Sequence, residues 1–340
     1  MLRKLGNSNL EITPVAIGTW ALGGWLWGGT QGNDAAGAIG AAIDAGLNII
    51  DTSPVYGFGL SEELVGMAIK PYREQTVVAT KCGLVWDDRP GGTPFFDTVD
   101  NNGKPITLRR NLRKESILAE CDDSLRRLGL DVIDLYQCHW PDPETPIDYT
   151  IEALLTLQEQ GKIREFGVSN FSAEQLQEML DKGITPTSNQ PKYSLLSREI
   201  EAEVLPFCIT NNIGCLAYSP MEMGLLTGKI KVNYEFPDND TRRNRPWFQP
   251  ENRARAIDAL DKTKPIAEKY GITLAQLSIA WAHNQPGITT AIVGCRNIEQ
   301  AKTNAAAANI KLSDEDLRTI RAIFATVQLD QPFDPATAKR

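Results

Sequence analysis

Only two histidines, His139 and His283, occur among 340 residues. So few excludes a multi-histidine metal centre of the kind found in many barrel hydrolases. No apolar run reaches the roughly 18 residues that span a bilayer. The opening stretch, MLRKLGNSNLEITPVAIG, also lacks the continuous apolar segment of a signal peptide. Long runs of Lys and Arg are missing, and the formal net charge is -8, which argues against a phosphate-backbone partner. Local basic residues could still hold one small anion. The six cysteines (82, 121, 138, 208, 215 and 295) form no CxxC pair and no staple pattern. They read as buried free thiols in a reducing compartment, and the cytoplasm follows.

A missing glycine fingerprint narrows the fold. The nearest match, Gly57-Phe58-Gly59-Leu60-Ser61-Glu62, lacks its third glycine and follows a loop rather than a strand. A doubly wound dinucleotide-binding fold is therefore set aside.

What is present is regular alternation. Residues 2–4 and 10–12, separated by Gly6-Asn7-Ser8-Asn9, read as a small hairpin. Apolar strand candidates follow at 14–20, 47–51, 76–81, 134–140, 164–170, 188–190, 214–220 and 290–295. Helix candidates lie between them at 34–45, 61–70, 115–128, 150–160, 173–182 and 198–212, with one more at 298–308. Unbroken strand–helix alternation predicts a (β/α)8 barrel, an α/β fold of parallel units. We expect it to occupy residues 1–327 as a single domain, with a polar tail at 328–340 that contains Phe333. Two long insertions, 83–110 and 221–253, and this tail are expected over the carboxyl ends of the strands, where barrels bind ligands.

Three of the strand candidates carry an ionisable residue at that end: Asp51, Lys81 and His139. Tyr56 follows Asp51 closely enough for the loop to return it to the same spot. A phenol with a reference pKa near 10 is made more acidic by a neighbouring ammonium, by roughly one to three units. Asp51 would hold Lys81 charged, and His139 would donate a hydrogen bond to a carbonyl oxygen. Together the four make a proton donor for an oxygen that becomes negative as hydride arrives at carbon. Any one of them alone would read equally well as a salt bridge or a satisfied core residue.

The stretches GLNIIDTSPVYGFGLSEELVG (46–66), VVATKCGL (77–84), SLRRLGLDVIDLYQCHWPD (124–142), GKIREFGVSN (161–170), NQPKYSLL (189–196), CLAYSPMEMGLLTGK (215–229) and VGCRNIEQAKTN (293–304) cover nearly the whole barrel. On these the chain resembles the aldo-keto reductases. GTWALGGWLWGG and LLTGK are similar to the bacterial branch related to general-stress reductases and potassium-channel β subunits.

The resemblance implies an NADP(H)-dependent reductase of aldehydes or ketones, monomeric, with Tyr56 as general acid, Asp51 and Lys81 as its activating pair and His139 orienting the carbonyl. It implies that Ser169, Asn170 and Gln190 hold the nicotinamide carboxamide and that Tyr218 stacks on the ring. Thr19, Trp20 and Asp51 fall within the same cofactor set. Backbone at Ser219, Pro220, Met221, Gly224 and Leu225, with Lys229, would meet the pyrophosphate. Gly294 and Arg296 would meet the adenosine 2′-phosphate, and Gln300 and Asn304 the ribose and adenine. A guanidinium binds phosphate bidentately, so Arg296 favours NADP(H) over NAD(H). Trp20, Tyr56, Trp86 and His139 would line the substrate pocket, with Trp140 beside them.

Several residues carry a plainer reading as well. Asn297 and Gln300 also fit a helix cap, and Ser172 with Gln175 fits a capping box with no ligand. Trp20 fits core packing as well as the site rim, and His283 reads as structural. Met221 and Glu222 depart from the family pattern, and a carboxylate there repels pyrophosphate unless it faces solvent or pairs with a cation. Two other functions fit the same residues: a barrel aldolase using Lys81 as a Schiff-base amine, and an NADPH-holding redox-sensing subunit.

Overall fold

In the computed structural model, which describes residues 2–27, 32–237 and 240–329, short strands rich in β-branched residues run parallel around a common axis. The N-terminal hairpin, β1 (Arg3–Lys4) and β2 (Glu11–Ile12), closes one end. Then come β3 (Val15–Gly18), α1 (Gly32–Asp44), β4 (Ile49–Asp51), α2 (Leu60–Ile69) and β5 (Val77–Cys82). The first insertion holds β6 (Leu84–Val85), β7 (Thr93–Val99) and β8 (Pro105–Arg110), followed by α3 (Lys114–Leu128). The alternation resumes with β9 (Ile133–Cys138), α4 (Ile147–Glu159), β10 (Ile163–Ser169), α5 (Ala173–Asp181) and β11 (Ser188–Gln190). It ends with α6 (Val204–Thr210), β12 (Gly214–Tyr218), α7 (Pro250–Lys262), α8 (Lys264–Tyr270), α9 (Leu274–His283), β13 (Ile288–Gly294), α10 (Ile298–Ala306) and α11 (Asp314–Phe324).

Eight strands close in the order β10-β11-β12-β13-β3-β4-β5-β9, every neighbouring pair parallel. The fold is a (β/α)8 barrel, as the alternation predicts. Alternate residues face inward, and Leu5, Ile12, Ala16, Ile49, Ala79, Leu135, Leu216 and Ile292 plug the interior near the hairpin. Outward residues such as Val78, Tyr136 and Val293 pack under the helices in the larger core. All six cysteines are free and buried. Among the described residues no helix is long and apolar enough to cross a membrane.

The structure departs from the sequence reading in three places. The first insertion is not irregular: β6, β8 and β7 form a three-stranded antiparallel sheet. Asn102-Gly103 marks its turn, with Gly103 at φ 79° and Asp100 Oδ1 accepting from the Asn102 and Lys104 amides. The single helix expected at 198–212 divides into a 3-10 turn, Glu199–Glu201, and α6. Pro206 has no amide to continue the earlier turn, so the helix restarts around it. Helices α7, α8 and α11 were not anticipated, whereas α9 supplies the helix expected around His283. The tail from residue 330 onward, Phe333 included, lies outside the described residues.

Capping follows the local signals. Ser172 and Gln175 form a reciprocal capping box at α5, and Thr273 and Gln276 form another at α9.

His283 is structural. Its Nε2 lies 2.9 Å from the Ala307 carbonyl, and Arg3 donates to the carbonyls of His283, Ile288 and Thr289, tying the hairpin to α9 and β13. Burial, aided by the Arg3 charge, pushes His283 down to about 4. Protonation therefore favours the unfolded chain. The stabilisation is present above pH 6.5 and is lost as pH falls through about 4. Denaturant unfolding across that window should show stability falling by at most about 3 kcal/mol from this residue. His283→Gln should flatten that part of the curve. An identical pH slope in the variant would reject the assignment.

Candidate active site

The carboxyl ends of the strands bring the four expected residues together. Asp51 ends β4, Lys81 lies one residue from the end of β5, and His139 follows β9. Lys81 Nζ sits 2.8 Å from both Asp51 carboxylate oxygens, 2.9 Å from the Thr52 carbonyl and 3.3 Å from the Tyr56 hydroxyl. The Tyr56 and His139 rings stand edge to face, 5.8 Å between centroids. Tyr56 reaches this point because its loop packs backbone to backbone on the loop after β3. A Cβ on Gly23 would lie 2.3 Å from the Tyr56 carbonyl oxygen, and one on Gly57 would lie 2.1 Å from the Gly23 oxygen. Only glycine allows that approach, and Gly57 also has φ 70°.

One electrostatic expectation is overturned. The net shift of Tyr56 is upward despite the Lys81 ammonium 3.3 Å from its hydroxyl. Burial, reinforced by the Asp51 carboxylate, holds the phenol well above 10. The ammonium faces both Asp51 oxygens, and that carboxylate opposes its effect on the phenol. Burial also lowers Lys81, opposed by Asp51 and Glu62. Lys81 is fully buried and its donors are all engaged, so no room is left for a Schiff-base carbon.

Burial and the Lys81 charge hold His139 well below 6.5, so the ring is neutral at neutral pH. Ser53 Oγ lies 3.2 Å from its Nδ1. With Ser53 donating there, the ring proton stands on Nε2.

The residues assigned to a cofactor by resemblance follow the remaining strand ends. Ser169 ends β10, Gln190 ends β11, Tyr218 ends β12 and Gly294 ends β13. Tyr218 donates to Asn170 Oδ1 at 3.0 Å, and Asn170 Nδ2 reaches the His139 carbonyl and Ser169 Oγ at 3.0 Å. Ser169 Oγ donates to the Gln190 carbonyl. The Gln190 amide donates to Asp51 Oδ2 at 2.7 Å, so it also braces the ion pair. The Thr19 side chain is fully buried and donates to the Asp51 carbonyl, supporting β4.

Beyond β12 the chain turns through left-handed backbone at Ser219, Glu222, Met223 and Gly224. Pro220 and Leu225 are buried, Met221 is half-buried against the core, and Lys229 is exposed. Glu222 does not face solvent: it pairs with Lys192 and accepts from Ser194 and Ser197. Its charge is thus matched, which answers the departure from the family pattern. Arg296 is exposed before α10, and its amide donates to Gln300 Oε1. Asn297 caps α10 by accepting from the Gln300 amide. Asn304 Nδ2 donates to the Gly294 carbonyl.

Lys192, paired with Glu222, and Arg242, paired with Asp240, gather near these ends with Arg245 and Arg296 in a chain of net charge -8. A turn with four left-handed residues, ringed by cations, fits the chemistry of a dianionic pyrophosphate. Ring-faced Tyr218 and amide-bearing Asn170 beside the tetrad fit a nicotinamide.

One side of the mouth is an aromatic wall. Trp20 stacks on Tyr56 at 6.1 Å and Trp27 stands edge-on to Trp20 at 5.5 Å. The β7–β8 sheet adds Phe95 against Trp140 and Phe96 against Trp25, and Phe58 meets Trp86. Trp25 Nε1 donates to Thr98 Oγ1, pinning the sheet over the mouth. Trp25, Trp27 and Phe58 escaped the sequence reading, although their density in WALGGWLW before a long loop is a usable signal.

Residues 14–325 match the family described as "Aldo/keto reductase family". The chain is 37% identical over 336 residues to the aldo-keto reductase YhdN of Bacillus subtilis (strain 168), covering 98% of this chain and 96% of that protein. It is 40% identical over 332 residues to the NADH-specific methylglyoxal reductase of Escherichia coli (strain K12), covering 95% and 98% respectively. Among solved structures, the glycerol dehydrogenase AKR11B4 from Gluconobacter oxydans superposes with a TM-score of 0.85 at 38% identity, covering 98% of this chain and 97% of that one. With the barrel, the strand-end residues and these whole-length matches agreeing, the chain belongs to the aldo/keto reductase family and is an oxidoreductase of that kind.

Proposed function

We propose that this chain reduces small aldehydes or ketones with a nicotinamide cofactor, Tyr56 giving the proton. The observation that carries this reading is the Lys81 ammonium held by both Asp51 oxygens, 3.3 Å from the Tyr56 hydroxyl and beside His139. When bound, the reduced nicotinamide supplies the hydride. Neutral His139 offers its Nε2 proton to the carbonyl oxygen and fixes the carbonyl's orientation. As that oxygen becomes negative, Tyr56 transfers its proton to it. Lys81 then faces a phenolate, whose charge it stabilises across the same short distance. The high pKa of the phenol keeps the acid loaded at neutral pH. The aromatic wall excludes water and receives the apolar part of a small carbonyl compound.

Tyr56→Phe should lower turnover by roughly 10²- to 10⁴-fold with thermal stability retained. A variant with wild-type turnover would end the proposal. Because His139 is neutral and Tyr56 protonated through the neutral range, reduction should stay nearly flat from about pH 6 to 9. Alcohol oxidation, which needs the phenolate, should climb over the same range. A bell centred near neutrality in the reductive direction would contradict these assignments.

For the cofactor, we read NADP(H) as preferred over NAD(H), with exposed Arg296 receiving the 2′-phosphate. One observation favours the opposite preference: the relative at 40% identity is named NADH-specific. Steady-state kcat/KM with both cofactors separates the two. Arg296→Ala is expected to weaken NADPH use by about tenfold or more while sparing NADH. Equal effects on both would reject the role.

A further inference from the structure

Arg242 lies in the second insertion, among the cations near the β12 and β13 ends, and it touches more than one wall of the site. Its Nε and Nη2 fork onto the Asp240 carboxylate, with contacts from 2.7 to 3.2 Å. Its Nη1 donates to the Met223 carbonyl at 3.2 Å. That carbonyl belongs to the left-handed run Glu222, Met223, Gly224, the middle of the cationic cradle. The guanidinium carbon also stands 5.2 Å from the Trp27 ring centroid and 5.2 Å from that of Phe236. Trp27 is edge-on to Trp20, and Trp20 stacks on Tyr56. One side chain, only 13% exposed, therefore joins the cradle to the aromatic wall.

The cradle turn is held from two sides. The Glu222 side chain is anchored by Lys192, Ser194 and Ser197, and the Met223 carbonyl by Arg242. Non-glycine residues at φ 46° and 51° persist only where such contacts over-determine them. A ligand that stabilises the turn also fixes Arg242, and a fixed guanidinium holds Trp27 against Trp20.

We propose that Arg242 is a positioning residue that couples occupation of the pyrophosphate cradle to assembly of the aromatic substrate wall through Trp27. This rests on the nicotinamide reading of the cradle. By linkage, an aldehyde held against Trp20 then tightens cofactor binding by the same factor as the cofactor tightens aldehyde binding.

Calorimetric titration tests this with no turnover. Oxidised cofactor (NADP+ and NAD+ separately) and an aldehyde that the enzyme reduces are each titrated alone and in the presence of the other. Wild type should bind aldehyde at least about fivefold tighter with oxidised cofactor bound. In Arg242→Met that ratio should fall to within about twofold of unity, with circular dichroism and melting temperature retained. Arg242→Lys should restore part of it. Trp27→Leu should lose the ratio too, yet hold cofactor alone within about twofold of wild type, because the Met223 contact persists. The double variant should lose nothing further. If Arg242→Met fails to fold, Trp27→Leu decides.

An unchanged ratio in the single variants, or losses that add in the double variant, would overturn the coupling. A wild-type chain that binds both ligands without mutual effect would also overturn it, leaving the carbonyl-reductase reading intact. A wild-type chain that binds neither cofactor would sink that reading as well.

Discussion

The buried pair of Lys81 and Asp51 is the constraint around which the mouth of the barrel is organised. Two charges taken out of water cost several kcal/mol each, and that cost is offset only when their hydrogen-bonding capacity is filled. Here it is. Both Asp51 oxygens face Lys81, one also accepts from Gln190, and Lys81 reaches the Thr52 carbonyl and the Tyr56 hydroxyl. Adjacent parallel strands supply the geometry, with Ala79 of β5 paired to Asp51 of β4. Loss of either charged partner would leave an uncompensated buried charge, a cost of about 3–5 kcal/mol. Tyr56 inherits its position and its reluctance to ionise from this pair.

The second organising feature is separation of charge from apolar surface at one barrel mouth. Cations collect over the ends of β12 and β13, whereas the loops after β3 and β5 contribute indoles and phenyl rings. The two regions meet at Tyr218, Asn170 and the tetrad. An anionic chain that concentrates positive charge at one rim focuses its field there. The Glu222 and Lys192 charges cancel within the protein, and two serine hydroxyls donate to the same carboxylate, so Arg245 and Arg296 carry more of that field.

Much of the site was legible because a barrel places residues by strand number. A residue at the end of an apolar strand must arrive at the same rim as every other strand end. Asp51, Lys81 and His139 were therefore locatable from alternation and order, once their strands were recognised, whereas Ser169, Gln190 and Tyr218 came from the family resemblance. The insertions were less legible. The β7–β8 sheet packs on the small cluster of Val55, Trp25 and Trp140 at the mouth, not on the barrel core, so its pattern carried no helical or barrel period; the Asn102-Gly103 turn was its one local cue. The helices α7 and α8 follow one another across Thr263 within a charged stretch, so their boundaries carry little signal.

By itself the sequence determined the barrel, the convergence of the four polar residues and the neutral, caps-and-core roles of Ser172, Asn297 and His283. These depend on local period and on short-range hydrogen bonds. Tertiary structure decided what no spacing encodes: that burial and Asp51 outweigh Lys81 in setting the Tyr56 phenol, that Gln190 braces Asp51, that Glu222 is paired, and that Arg242 spans cradle and wall. Each depends on burial and on partners far apart in the chain. The sign of an electrostatic effect in a dry site follows from the whole set of neighbours, not from the nearest one.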